Sequence, residues 1–317
     1  MIHNCTPNHL HRDINLKIIG ANKHVFSEKP LGLTSIESQE MLDMLDKHPS
    51  VVAGVNFCYR MNPLVQDAKN RILSGEIGRP LLVHGHYLQD WLLYDTDYNW
   101  RIEEKYTGPS RCAADIGSHW LDLAQTLLDS KVVEVCADTV KAYQTRKKGL
   151  QTVATFAAQS TDEYEEVEVT TEDYAGALLK FANGTTGIFH CSQVSAGRKC
   201  CIQIEVDGTN ASFAWNHETS NQMWKGNRDS NNELIMRNPN LMTEDVKKYS
   251  YLPAGHPEGW NDAFKNNLAA FYSYIANNRK EKQELCDFAT FKDAHDITKI
   301  IEAILKSART KQWVSVE

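Results

Sequence analysis

Asp115 and His119 stand four residues apart, and the tripeptide Glu28-Lys29-Pro30 lies far upstream. On a helix, positions i and i+4 share one face. A carboxylate and an imidazole so placed can share a substrate hydroxyl, and a lysine from elsewhere completes a proton relay. The spacing alone also fits a helix-capping Asp and a structural His. Pro30 restricts Lys29 to extended backbone, which fixes where its side chain leaves the chain. One Asp and one His without further ligands make no metal site, so no metal is expected.

Holding these groups together takes a scaffold, and the pattern supplies one. Residues 1–5 read as a short strand and 9–19 as a helix closed by Gly20. Residues 23–27 form the next strand and deliver Lys29 at its C-terminal end, the edge where α/β proteins bind ligands. Thr34-Ser35-Ile36-Glu37 has capping-box spacing and opens a helix to Asp46. Residues 51–57 read as a buried strand, and Asn62-Pro63 as an N-cap with Pro at the first position of a helix to about Leu73. Such alternation belongs to a parallel sheet.

Past Pro80 the pattern changes. Residues 81–88 form a strand, 90–110 an irregular stretch and 113–128 the helix carrying Asp115 and His119. Strands follow at 132–143, 174–181, 185–194, 201–206 and 211–215, with Asn183-Gly184 and Asp207-Gly208 as turns between antiparallel neighbours. Residues 145–171 read as a long polar loop, and 260–277 and 291–308 as closing amphipathic helices.

The 317 residues suggest about two domains. A hydrophobic share of 42% and a charged share of 24% are ordinary for a globular chain. A net charge of −7 gives no reason to expect nucleic acid or an anionic membrane as partner. No apolar run approaches a membrane span, and no basic-then-apolar leader opens the chain. The eight cysteines show no Cys-x-x-Cys pair and read as small buried hydrophobes in a reducing cytoplasm.

Four segments in order resemble the Gfo/Idh/MocA family of nicotinamide-dependent oxidoreductases. They are Thr6-Pro7-Asn8-His9-Leu10-His11, His24 through Leu31, Asn56 through Pro63, and Gly108-Pro109-Ser110 leading into Asp115 through Asp122. The resemblance implies a dehydrogenase that interconverts a sugar or cyclitol hydroxyl and a ketone with NAD or NADP. It implies that Lys29 bonds the substrate hydroxyl and the nicotinamide ribose, that His119 is the general base, and that Asp115 orients it or accepts a second hydroxyl. Thr6, Pro7, Asn8, His11, Glu28, Lys29 and Asn56 fall in segments that flank the cofactor, although turn formation and strand packing explain several of them equally. Asp90 through Arg101 mixes aromatics with carboxylates, an amide and a guanidinium, which suits the C–H faces and hydroxyls of a sugar. It looks like the family's substrate-side loop, with Tyr98, Asn99 and Arg101 as contacts. The bland alternative is an interdomain cover held by Trp91 and Trp100. His256, in Gly255 through Trp260, is open between packing and substrate contact.

The departure is a missing Gly-x-Gly-x-x-Gly turn, the element that receives the pyrophosphate at a helix N-terminus. The expected fold is therefore α/β plus α+β. Residues 1–60 would be the C-terminal half of a Rossmann-type parallel sheet with an unprotected edge. Residues 61–317 would carry a large, mostly antiparallel, open-faced sheet. This truncated cofactor site makes dinucleotide binding by the chain alone doubtful. The open face implies a homo-oligomer, dimer or tetramer. A non-catalytic sensing or scaffolding descendant is the alternative, and a metal-dependent hydrolase lacks ligands.

Overall fold

The computed structural model describes residues 1–149, 163–277 and 286–317. Strands and helices alternate at first: β1 (Ile2–Asn4), α1 (His11–Gly20), β2 (Val25–Ser27), α2 (Ser35–Asp46), β3 (Ala53–Val55) and α3 (Pro63–Leu73). β1, β2 and β3 pair in parallel, and β2 and β3 are buried throughout. The helix starts follow the local chemistry. Thr34 accepts from the Glu37 amide, and Asn62 accepts from Leu64 N at 3.0 Å with Pro63 at the first helical position. Glu37 does not return to the Thr34 amide; its carboxylate accepts from Leu33 N at 2.7 Å. Gly20 is the last residue of α1 rather than its stop signal. The left-handed residue is Asn22, a side chain that tolerates positive φ.

The chain continues through β4 (Pro80–Leu88), α4 (Glu104–Thr107), a π-helical turn over Ala113–Gly117 and α5 (Ser118–Leu128). Next come β5 (Val132–Val140), β6 (Thr145–Gly149), β7 (Tyr164–Glu168), β8 (Tyr174–Phe181), β9 (Thr186–Ser192), β10 (Cys201–Gly208), β11 (Ala211–Asn216), β12 (Gln222–Asn227) and β13 (Glu233–Met236). It closes with α6 (Glu244–Lys247), α7 (Trp260–Ala276), β14 (Ala289–Thr290), α8 (Phe291–Thr310) and β15 (Val314–Ser315). β14 pairs antiparallel with β3, so the first sheet, ordered β1-β2-β3-β14, draws on both ends of the chain. Among the described residues β1 is an edge strand.

The second sheet runs β13-β12-β11-β10-β4-β9-β8-β5-β15, with β4 and β9 parallel and the other pairs antiparallel. One face packs on α5 and α8. Trp120 of α5 stacks on Phe189 at 5.1 Å and donates to Gln203 O at 2.9 Å. That contact needs Gly85, whose φ is +155 and where a Cβ would lie 2.0 Å from Gln203 O. A methyl there forces β4 and β10 apart, at a cost of about 1–3 kcal/mol or more. The other face is open, and the register runs one row across it through Leu178, Ile188, His84, Glu205, Ala214 and Trp224. Ile188 is 54% exposed and Leu178 42%.

Three sequence expectations need correction. Residues 145–149 and 164–168 are not loop: β6 and β7 pair antiparallel, while 150–162 lie outside the described residues. Their charged, weakly alternating sequence hid them, because only Arg146 and Gly149 are buried among those ten residues. Asp207-Gly208 belongs to β10 at a register shift, and the turn is Thr209-Asn210. The helix expected over 113–128 opens as a π turn, a feature often found at functional sites. Among the described residues, no helix is long and apolar enough to cross a membrane.

Candidate active site

Parallel pairing brings the C-terminal ends of β1, β2 and β3 to one edge, so Thr6-Pro7, Glu28-Lys29 and Asn56 converge there. Lys29 precedes Pro30 across a cis peptide bond. Its Nζ donates to Asp115 Oδ1 at 2.7 Å and to the Asp115 carbonyl at 2.5 Å. Asp115 sits in the π turn, whose first amides are capped by a carboxylate from far along the chain. Glu172 accepts from Ala113 N at 2.9 Å, Arg111 N at 3.1 Å and Ser110 Oγ at 2.7 Å. The second Asp115 oxygen accepts from Gln193 Nε2 at 2.9 Å. Burial disfavours the Asp115 charge, but Lys29 and Arg101 outweigh it and hold this carboxyl below the usual range.

His119 lies in the first turn of α5, 8% exposed, with its ring edge-on to Tyr59 at 4.9 Å and Phe57 at 5.6 Å. Its Nδ1 is buried without a hydrogen-bond partner. Desolvation by these walls, reinforced by the positive charge of Lys29, pushes the imidazole well below its ordinary pKa. His119 is therefore neutral at pH 7, the form that accepts a proton. No hydrogen bond joins Asp115 to the imidazole, the first of the two roles that the resemblance implied for it. The π turn leaves its carboxylate engaged by Lys29 and Gln193 instead.

These three residues line one cleft of about 920 Å³, together with Tyr98, Asn99 and Arg101. Asn99 caps a single 3-10 turn (Trp100–Ile102), its Oδ1 accepting from Arg101 N at 3.1 Å. The Arg101 guanidinium lies 4.5 Å over the Trp100 ring and pairs with no carboxylate among the described residues. The Tyr98 hydroxyl donates to Glu103. Trp91 lines the cleft directly rather than only covering it.

His256 is not brought there. Its side chain is exposed and absent from the cleft wall, whereas Trp260 from the same segment lines it. The second histidine in the wall, beside His119, is His217, in a 3-10 turn after β11. Tyr59, Tyr87 and Cys200 were also missed. The two tyrosine hydroxyls lie 2.7 Å apart, and Cys200 Sγ is 3.1 Å and 3.2 Å from them. Tyr59 stood within a motif segment, but Tyr87, Cys200 and His217 come from unrelated elements and carry no local spacing signal.

The expected cofactor residues divide. Asn56 donates to Glu28 Oε1 at 2.8 Å and accepts from the buried Asn267 at 3.2 Å, which presents both side chains at the sheet edge. Thr6 donates to Asn4 Oδ1 at 2.7 Å in the turn that includes Pro7 and Asn8. His11 is fully buried and braces the edge from behind, its ring nitrogens 2.7 Å from the carbonyls of Pro30 and Thr6. Both nitrogens are engaged within the protein, so its ring is a strut rather than a ligand contact. The polar groups at this edge fit the nicotinamide and ribose end of a dinucleotide. No Gly-x-Gly-x-x-Gly turn occurs in the sequence to receive a pyrophosphate. No cluster of three metal-ligating side chains among the described residues lies in the cleft. Among the described residues His84, Glu205 and Asp207 come within 4.8 Å of one another, on the open sheet face.

Comparison with known proteins matches residues 1–57 to an oxidoreductase family with an NAD-binding Rossmann fold. Residues 65–214 match the GFO/IDH/MocA C-terminal domain. Levoglucosan dehydrogenase of Pseudarthrobacter phenanthrenivorans is 33% identical over 98% of this chain and 78% of its own length. Inositol 2-dehydrogenase of Salmonella typhimurium is 31% identical over 46% of this chain and 38% of its own. The solved structure of levoglucosan dehydrogenase in complex with NADH superposes with a TM-score of 0.86 and 26% identity. That superposition covers 99% of this chain and 79% of the other.

Proposed function

This chain belongs to the GFO/IDH/MocA family of oxidoreductases, and we propose that it moves hydride between a sugar or cyclitol hydroxyl carbon and NAD or NADP. One observation carries the reading: Lys29, Asp115 and His119, from β2 and from the π turn and helix beyond it, share a cleft with Tyr98, Asn99 and Arg101. Levoglucosan dehydrogenase and inositol 2-dehydrogenase, by their names, act on polyhydroxylated rings, and the mixed aromatic and polar wall suits such a substrate.

In this reading Glu28, Lys29, Asn56 and Thr6 hold the nicotinamide and ribose end of the cofactor. The bound nicotinamide supplies the hydride acceptor. Lys29 donates to the substrate oxygen and holds the alcohol in place. His119, neutral at pH 7, takes the hydroxyl proton as the carbon loses hydride, and the alcohol becomes a ketone. Asp115 keeps Lys29 oriented and balances its charge. Tyr98 offers a ring face, while Asn99 and Arg101 meet further hydroxyls. Cys58, Cys112, Cys191 and Cys201 are buried free thiols, which fits a reducing cytoplasm.

A panel of sugars and cyclitols assayed with NAD+ and NADP+ for reduced nicotinamide and a carbonyl product tests the reading. Turnover of a ring polyol supports it, and cofactor binding with no oxidation of any panel member contradicts it.

A further inference from the structure

Behind the cleft lies a buried polar chain that the proton relay does not itself require. Arg111, Asp173 and Arg146 are each wholly buried at the side chain. Arg146 donates to Asp173 Oδ1 at 2.8 Å, and Arg111 donates to the same oxygen at 2.5 Å. Arg111 also donates to Gln193 Oε1 at 2.7 Å, and Gln193 donates onward to Asp115. At its other end Arg146 grips the substrate-side loop by its backbone. It donates to the carbonyls of Tyr94 at 2.8 Å, Leu92 at 2.9 Å and Asp97 at 3.2 Å. Leu93, Tyr94 and Asp97 of that loop line the cleft.

Two physical points give this chain a purpose. Guanidinium groups only donate, so Arg111 settles the orientation of the Gln193 amide. With Oε1 turned to Arg111, Nε2 must face Asp115, and the carboxylate receives an N–H rather than a second oxygen. Secondly, two arginines and one aspartate in a dry interior are no better for stability than apolar side chains of similar volume. Apolar residues would fill the space, but they could not orient an amide or hold three loop carbonyls.

We propose that Arg146, Asp173, Arg111 and Gln193 are positioning residues that join the substrate-side loop to the Asp115 carboxylate as one mechanical and electrostatic unit. Displacement of the loop by a bound polyol is then felt at Asp115, and through it at Lys29. The catalytic meaning of this coupling rests on the dehydrogenase reading; the coupling itself does not.

The test is the titration of the Asp115 carboxyl, followed by carbon NMR in the full chain and assigned by its loss in Asp115→Asn. Gln193→Leu removes the donor to Oδ2 and raises the Asp115 midpoint by about one unit, the scale of one hydrogen bond to a charged group. Arg146→Lys touches neither Asp115 nor Gln193, yet it raises the midpoint in the same direction by a smaller step. Thermal melting of both variants separates loss of fold from loss of coupling. An unmoved midpoint in folded Gln193→Leu overturns the proposal. So does a midpoint that moves in Gln193→Leu but stays fixed in folded Arg146→Lys. Where the wild type turns over, Arg146→Lys raises KM several-fold and Gln193→Leu lowers kcat. A purely structural role would move neither parameter selectively. Coupled titrations in a chain that oxidises no polyol would leave this proposal standing and remove the dehydrogenase reading.

Discussion

Lys29 donates twice to a residue 86 positions away, once to the carboxylate of Asp115 and once to its backbone carbonyl. The second bond ties the lysine to the π turn itself, so the ammonium position depends on helix geometry as well as on charge. Both side chains are mostly buried, with exposures of 14% and 23%.

Replacing Lys29 by Ala lets the Asp115 pKa rise, because Lys29 is the leading influence holding it down. A carboxyl depressed in the folded state stabilises above its unfolded value of about 3.9 and loses that contribution as pH falls through the folded value. The variant is therefore less stable than wild type by about 1–2 kcal/mol near neutral pH, the scale of a hydrogen bond to a charged group. The difference shrinks as the pH falls below about 4. Thermal melts across that range check the sign; a difference that grows on acidification contradicts it.

His119 has the opposite acid signature to a salt-bridged histidine. Its folded pKa lies well below the ordinary value, so between about 6.5 and the folded value the unfolded chain binds a proton that the native one does not. Stability attributable to His119 is complete above that window and declines as pH falls through it. His119→Phe removes this decline and lowers kcat by about a hundredfold or more. Melting temperatures near neutral pH and about two units lower, set beside steady-state rates, test both halves.

Arg101 reaches into the cleft without a carboxylate partner among the described residues. Arg101→Ala should raise KM for a polyol about tenfold while kcat changes little, the pattern of lost uniform binding. An equal fall in kcat at unchanged KM would move Arg101 into the transition-state machinery.

The open face of the nine-stranded sheet exposes Ile188 and Leu178 side by side in register. A broad sheet face bearing such residues calls for cover, and a second copy of the chain is the occupant we expect. Sedimentation should show a dimer or tetramer, and Ile188→Lys should shift it toward monomer. A concentration-independent monomer mass for the folded wild type contradicts this.

Much of this architecture was legible because local chemistry and global fold agree. Thr34 and Asn62-Pro63 cap the helices they were read to cap, and Asn183-Gly184 joins β8 to β9. Lys29 and Asp115 were read into one site, but not the direct bond between them: no periodicity announces a π turn or a contact across 86 residues. His217 and Cys200 reach the cleft from separate strand ends, so only the tertiary fold assembles them. Arg146 fell in the stretch read as a polar loop, yet it is a buried clamp on Asp173 and on backbone carbonyls, the latter invisible to any side-chain pattern. His256 misled because its neighbours are right: Trp260 does reach the cleft.

In the proposed reaction His119 takes the hydroxyl proton and Lys29 holds the alcohol for hydride transfer. The sequence holds no Gly-x-Gly-x-x-Gly turn, so the decisive measurement uses the chain both as it stands and fused to a glycine-rich strand–turn–helix segment ahead of Met1. Reduced nicotinamide formed from ring polyols is followed for wild type, Lys29→Ala and His119→Ala in both forms. Dinucleotide should bind the unfused chain weakly and the fusion well. The fusion should oxidise at least one polyol, and each substitution should lower kcat by about a hundredfold or more with the fold intact. Equal rates for wild type and Lys29→Ala in the fusion would remove Lys29 from the reaction.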